Sequence, residues 1–329
     1  MTLPVSPNAV AFSQIQSEFG GSNPISLSEY YAGNAALVPP GVGVPTSGSL
    51  NVGSFRGTHK AIMYYRNAQS VTTIGDETVI VFSTVGTGGL LKPDFGSLQI
   101  RSLIVGPGGD SGSGSRSGGG GSGGAIDFST LALSSGTEYP ITVGGGTSYD
   151  SYGNTVGPFP SSIGSILVAS KGGNGTGSSD YGRYAVAGDS GTVTYNGSVI
   201  AGSYVGGNYN SSGQYETGSG WGAGGGGGAG GRGVDGLVYN VNAYGGTGIA
   251  SNITGTTQYY AGGGNGSSSC GALASNGYGG GAAGGYGQAG NPGTPNTGGG
   301  GGAGCATGTK GHGGSGIVIV RGRFTAVAY

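Results

Sequence analysis

In a chain of 329 residues, 85 glycines leave too few side chains for an ordinary core, because glycine has nothing to bury and loses the most backbone entropy on folding. The formal charge of −1, from 12 basic and 13 acidic residues, offers no cationic footprint for a phosphate backbone and argues against a nucleic-acid partner. The glycines lack the strict every-third-residue period of collagen, and 20 tyrosines with only 8% charged residues argue against simple low-complexity disorder.

Residues 1–57 read as two short amphipathic helices and a linker. Ser6-Pro7 offers a cap and a first-turn proline, and Val10, Phe12, Ile15 and Phe19 recur at helical spacing until Gly20-Gly21. A second helix is expected from Ser26, with Leu27 and Tyr30 on one side and Glu29 in its first turn. These pieces bury too little to fold alone, so with the open stretch 38–49 they predict a docking module completed by another protein. The alternative is that they pack on the downstream domain. The start Met1-Thr2-Leu3-Pro4 lacks the charged and apolar regions of a signal peptide, and no apolar run reaches the ~18 residues of a membrane span; synthesis in a cytoplasm is expected.

Residues 58–105 read as a β-rich neck or sheet. Strands are expected at 61–65, 77–82 and 98–105, where β-branched and aromatic residues alternate with Gly, Asn and Asp turn signals. Further strands are expected at 137–143, 165–170 and 192–195, and at 316–321 near the end of the chain.

Residues 106–329 form the glycine-rich part. Blocks such as 118–121, 224–228, 262–264 and 298–302 are nearly pure glycine, and they predict a stack of polyproline-II-like segments whose bare backbones hydrogen-bond one another. Between the blocks, 147–162, 178–220, 236–261 and 290–297 mix tyrosine with Asn, Ser, Asp and Thr, the vocabulary of adaptable recognition loops. About half of these rings are expected to cover the lattice rather than bind. Tyr149, Tyr152, Tyr181, Tyr184, Tyr239 and Tyr244 are the candidate receptor-binding residues.

Chemistry-bearing motifs are weak. Glycine bias produces dinucleotide-type matches by chance, and none lies between a buried strand and a long helix. The phosphate-loop-like Gly308-Thr309-Lys310 is followed by Gly rather than Ser or Thr. His59 and His312 have no recognisable nucleophile beside them, and Asp110, Asp127, Asp150, Asp180, Asp189 and Asp235 are scattered; no cofactor and no enzymatic activity is expected. Cys270 and Cys305 lack metal-ligand spacing, which leaves two free thiols or one late disulfide. The Asn-X-Ser/Thr triplets, including those at Asn174, Asn196 and Asn252, read as products of composition.

Several stretches together resemble the glycine-rich domain of bacteriophage virion proteins: Leu103-Ile104-Val105-Gly106-Pro107-Gly108-Gly109, Tyr139-Pro140-Ile141-Thr142-Val143-Gly144-Gly145-Gly146, Ala169-Ser170-Lys171-Gly172-Gly173, and Gly313-Gly314-Ser315-Gly316-Ile317-Val318-Ile319-Val320-Arg321. The glycine blocks also resemble those of tail-fibre-tip adhesins of T-even-like phages. That resemblance implies packed polyglycine-II helices displaying variable receptor-binding loops. The start of the chain, with Ile25-Ser26-Leu27-Ser28-Glu29-Tyr30-Tyr31, is similar to the virion-attachment segments of phage tail and structural proteins; the 58–105 stretch is not part of the adhesin template.

The resulting expectation is a mainly β and irregular protein with a small helical docking segment. It is read as a tail fibre or tail-tip adhesin. Val10, Phe12, Ile15, Phe19, Leu27 and Tyr30 dock on other virion proteins, and the tyrosine loops bind a host surface glycan or outer-membrane protein, with a homotrimer as one assembly compatible with this role. The alternatives are a virion structural protein without a receptor (fibre, collar or head decoration) and, with least support, a glycan-degrading tail component.

Overall fold

The structure, a computed structural model, describes residues 11–19, 30, 44, 47, 61–94, 97–114, 116–146, 148–149, 155–156, 159–178, 187–201, 223–235, 243–267, 279–281, 289–304 and 310–329. Its organising element is the strand Ile317–Gly322, which lies in the middle of a five-stranded sheet in the order Ser70–Ile74, Glu77–Phe82, Ile317–Gly322, Ser97–Val105, Ala125–Ser134. All these neighbours are antiparallel. This late strand therefore completes a sheet begun by Ser70–Ile74, Glu77–Phe82 and Ser97–Val105, whereas the last strand, Thr325–Ala328, joins the eight-stranded sheet beside Ile62–Arg66.

Side chains alternate across a strand, and here both faces are covered, which explains the unbroken Ile-Val-Ile-Val. Val318 and Val320 point into one cluster with Ile80, Phe82, Ile100 and Ile104; Ile317 and Ile319 point into another with Val79, Leu103, Val105 and Tyr260. The first cluster is shared with an eight-stranded sheet, through Met63, Leu91, Ile141, Val143, Ile163, Leu167 and Val193, so the two sheets enclose one core. Each such fully buried aliphatic side chain contributes roughly 1.5–3 kcal/mol. The second cluster is closed by the hairpin of Ile249–Ser251 and Gln258–Tyr260.

Expected strands at 61–65, 77–82, 98–105, 137–143, 165–170, 192–195 and 316–321 correspond to Ile62–Arg66, Glu77–Phe82, Ser97–Val105, Tyr139–Val143, Leu167–Ala169, Val193–Tyr195 and Ile317–Gly322. Other strands add to them. Gly86–Pro93 joins Ile62–Arg66 to Tyr139–Val143 in the larger sheet, and Ser198–Ala201 returns from Val193–Tyr195 through Asn196 and Gly197, both at positive φ. The stretch 236–261, read as a loop, contains the hairpin that closes the second cluster.

The strands run directly into the glycine segments. Ser97–Val105 continues into 106–112, and 118–124 leads into Ala125–Ser134, with both glycine segments buried. Residues 118–124 sit among six neighbours. Gly118, Gly121 and Gly124 donate amide hydrogen bonds to Thr176, Gly173 and Ser170; Gly119 and Ser122 donate to Gly224 and Gly227; Gly120 and Gly123 donate to Gly301 and Gly298. Their carbonyls accept in turn from Gly106, Gly109 and Gly112, from Gly188 and Gly191, and from Gly264. Every third residue thus returns to the same neighbour. Buried backbone groups must be paired, and this arrangement pairs them without a β-ladder.

At the other end of the chain, Phe12–Phe19 is the single described α-helix. The Ala11 amide donates to Gln14 Oε1 at 2.7 Å, the reach-back half of a capping box. Ile15 and Phe19, one turn apart, are fully buried, as is Tyr30, whose ring meets Phe12 edge-on at 6.5 Å. Val44, within the stretch read as an open linker, is also buried. The expected cap at Ser6-Pro7 and the expected helix start at Ser26 lie outside the described residues.

Candidate functional site

The glycine segments have two ends. One is fixed to the sheets; at the other the chain turns, as between Gly112 and Gly118, whose amide and carbonyl are bonded at 2.9 Å. This far rim is held by a short chain of contacts. Ser117 and Ser267 exchange hydrogen bonds, Ala223 donates to Ser267, Gly266 donates to Ala243, and Ala303 donates to Asn265. The Asn265 side chain, fully buried, accepts from Gly245 at 2.8 Å.

The described residues flanking 179–186, 236–242 and 305–309 stand on this rim. Gly118 bonds to Thr176 and Gly188 to Gly119; Val234 bonds to Tyr244; Ser111 bonds to Gly311. Residues 202–222 re-enter the described chain at the rim, at Ala223. The lattice therefore brings described flanks as separate in sequence as Thr176 and Gly311 to one face.

Of the six candidate tyrosines, Tyr181 and Tyr184 belong to 179–186 and Tyr239 to 236–242; these three and Tyr152 lie outside the described residues. Tyr149 is placed by its backbone alone, in the two-residue pairing of Ser148–Tyr149 with Thr155–Val156, on a different connection. Tyr244 is 40% exposed, beside Val234, which is 41% exposed and donates its amide to the Tyr244 carbonyl at 2.9 Å. Arg232 and Asp235 form an ion pair at 2.7 Å in the same segment as Val234. An amphipathic ring, an aliphatic neighbour and a charged pair thus share the rim, and the last three residues had no sequence signal beyond their proximity to a glycine block. Tyrosine is divided between both roles: Tyr259 is half-exposed, whereas Tyr260 is buried in the second cluster with its hydroxyl donating to Gln258 Oε1.

Two polar networks hold the frame that carries this rim. In the first, Arg101 grips both carboxylate oxygens of Asp127, at 2.7 and 2.5 Å, and also donates to Asn252. The Ser251 hydroxyl donates to Asp127 at 2.6 Å, and Arg321, bound to Glu77, reaches the Ile253 carbonyl. These bonds fasten the 249–260 hairpin to the sheet. Burial disfavours the Asp127 charge, but the bonds from Arg101 and Ser251 outweigh it and hold the carboxyl below its usual range. The bond to Asp127 likewise raises Arg101, and burial followed by the Asp127 charge raises the Tyr260 hydroxyl.

In the second network Asp110, only 1% exposed, lies 3.6 Å from both Lys310 Nζ and His312 Nδ1 and accepts from the Gly313 amide at 3.1 Å. Asn174 accepts from the Asp110 amide and from Lys171. Side chains here fix glycine segments that have none of their own. Asp110 and Asp127 each serve a separate network. Among the described residues no group of three or more His, Cys, Asp or Glu could hold a metal ion, and no helix is long and apolar enough to cross a membrane.

Of the candidate docking residues, Val10 and Leu27 lie outside the described residues, Phe12 is half-buried, and Ile15, Phe19 and Tyr30 are buried within the chain itself.

The family model described as a glycine-rich domain matches residues 83–323, which takes in the core strands from Gly86–Pro93 to Ile317–Gly322 and the whole glycine lattice. No curated protein matches the chain significantly.

Proposed function

We propose that this chain, which belongs to the glycine-rich domain family, is a bacteriophage tail fibre or tail-tip adhesin, which binds a host surface glycan or outer-membrane protein through loops at the far rim of its lattice. The observation that carries this reading is the convergence of the flanks of 179–186, 236–242 and 305–309 on one face, where Tyr244 and Val234 are exposed. Rigid glycine segments with hydrogen bonds every third residue suit packed polyglycine-II helices, since a polyproline-II-type chain has three residues per turn and no internal hydrogen bonds. Such a frame tolerates exchange of its loops, because the loops contribute little to the core.

Recognition needs no chemistry on the receptor. Tyrosine offers large contact area at low entropic cost, and its ring stacks on a sugar or packs against a protein equally well. Several copies on one particle multiply weak contacts into stable capture. The N-terminal segment, residues 1–57, is proposed to attach the protein to the virion. With Ile15, Phe19 and Tyr30 buried within the chain, that attachment would use their exposed neighbours.

The test is exchange of residues 179–186 and 236–242 for those of a phage with a different host. An altered host range with unchanged particle assembly is expected. Unaltered host range would favour a structural virion protein without a receptor.

A further inference from the structure

Bulges, charges and short length keep sheet edges from pairing with another chain. Three of the four edges of the two sheets carry such devices. In the eight-stranded sheet the edge strands Ser198–Ala201 and Thr325–Ala328 have four residues each, and the pairing of the first shifts register between Val193 and Thr194. In the five-stranded sheet the edge strand Ala125–Ser134 carries the charged Asp127, and its pairing shifts register between Ile100 and Ser102. The other edge of that sheet, Ser70–Ile74, differs. Its five residues pair with Glu77–Phe82 in one unbroken register, and none is charged or proline. Ser70, Val71, Thr72 and Thr73 are all exposed.

The turn decides which backbone groups face outward. Ile74 pairs with Glu77 across the two-residue loop Gly75-Asp76, where Gly75 has φ 63. The residues flanking such a loop form a hydrogen-bonded pair, and these pairs alternate along an antiparallel ladder. Ile74, Thr72 and Ser70 therefore direct their amides and carbonyls to Glu77, Val79 and Val81. Val71 and Thr73 direct theirs to the open edge, where no described residue outside the sheet bonds to them.

We propose that this edge pairs with the same edge of a second copy of the chain, antiparallel about a two-fold axis at Thr72, so that two five-stranded sheets become one of ten. Outward groups must meet outward groups, and the register of greatest overlap sets Val71 of one copy opposite Thr73 of the other. The two copies then exchange four backbone hydrogen bonds. Thr72 meets Thr72 as a non-hydrogen-bonded pair, the closer kind, and facing threonines stabilise a sheet. A two-fold contact sets each residue near its own copy, so a charge close to the axis would repel itself. This strand has none, and its residues 71–74 are all β-branched, which suits a pairing edge. That self-match is what selects a second copy over an unrelated strand. Five residues bury far less than the ~800 Å² per partner of a standard interface, so the contact is weak alone and strengthens where copies are crowded. The inference does not rest on the adhesin reading.

The test is sedimentation of the full chain at rising concentration, up to about 1 mM, the Kd of a weak specific complex. A concentration-dependent dimer is expected. Thr72→Lys, at an exposed position, sets two ammonium groups against each other across the axis and is expected to weaken the dimer by about tenfold at an unchanged melting temperature. Thr73→Pro removes an outward amide that the ladder within the chain does not use, and is expected to weaken it by a similar factor. Facing α-carbons of a non-hydrogen-bonded pair lie about 4.5 Å apart, within disulfide reach. Thr72→Cys, in a chain also carrying Cys270→Ser and Cys305→Ser, is therefore expected to cross-link two copies far faster than Thr325→Cys on the edge of the other sheet. A chain that stays monomeric throughout the range would overturn the proposal. So would an oligomer indifferent to Thr72→Lys and Thr73→Pro in folded variants, or equal cross-linking at the two cysteines.

Discussion

A β-carbon placed on Gly226 would stand closer to the carbonyl oxygen of Gly120 than the 3.0 Å that real β-carbons essentially never breach. Gly300 meets the same oxygen from another side. Both obstacles are backbone, so neither can swing away. Gly226→Val and Gly300→Val are each expected to cost about 3 kcal/mol or more, at or beyond the upper end of ordinary overpacking, because whole segments must separate. At Gly145 an added β-carbon would meet only the end of the Val85 side chain, at 3.0 Å. Gly145→Ala should therefore cost less than about 1 kcal/mol. Urea unfolding midpoints check the contrast, and equal effects at the three positions would show that the lattice is not tightly packed.

Ser102 faces the core between the sheets, fully buried, and its hydroxyl has no hydrogen-bond partner among the described residues. Leaving such a group unpaired costs about 1–3 kcal/mol. Ser102→Ala is accordingly expected to raise stability by about 1 kcal/mol, part of the gain being offset by the small space left behind. A lowered unfolding midpoint would mean that the hydroxyl is bonded in solution.

Acid should loosen the hairpin over the second cluster. The Asp127 carboxyl is held below its unfolded value of ~3.9, so its contribution is complete above that pH and is lost as pH falls through the lower folded value. Amide protection factors at 249–260, taken relative to the intrinsic exchange rate at each pH, are expected to fall below about pH 4. Asp127→Asn should cost about 2 kcal/mol at neutral pH, as expected for hydrogen bonds to a charged group, and should flatten the acid dependence. An unchanged acid profile in that variant would assign the effect to other carboxylates.

The strands that a sequence reader can find are those whose side chains carry the pattern. Glu77–Phe82 is rich in β-branched residues, and Ile317–Gly322 is apolar throughout because both its faces are buried. Gly86–Pro93 begins Gly-Thr-Gly-Gly, which reads as a turn, yet Gly89 is small because Ile141 and Phe82 press against it. Ser70–Ile74 is an exposed edge strand without an apolar face. Asn196-Gly197 carries a strong hairpin signal, which its place in a composition-driven Asn-X-Ser triplet obscured. Within the lattice, glycine runs have no phase of their own. Which segment bonds to which is set by the strands that feed them, so the six neighbours of 118–124 were not legible from composition.

The proposed recognition by the rim is tested most directly by adsorption of particles carrying Tyr244→Ala, alone and together with Tyr181→Ala, Tyr184→Ala and Tyr239→Ala, with the melting temperature of each purified variant. Tyr244 is already exposed, so truncating it should leave the fold intact. The account predicts that at least one ring behaves as an anchor, with adsorption weakened by about 2 kcal/mol, roughly thirtyfold, at an unchanged melting temperature. Wild-type adsorption by the combined variant would contradict it, and adsorption lost only in step with melting would show that the rings serve the lattice.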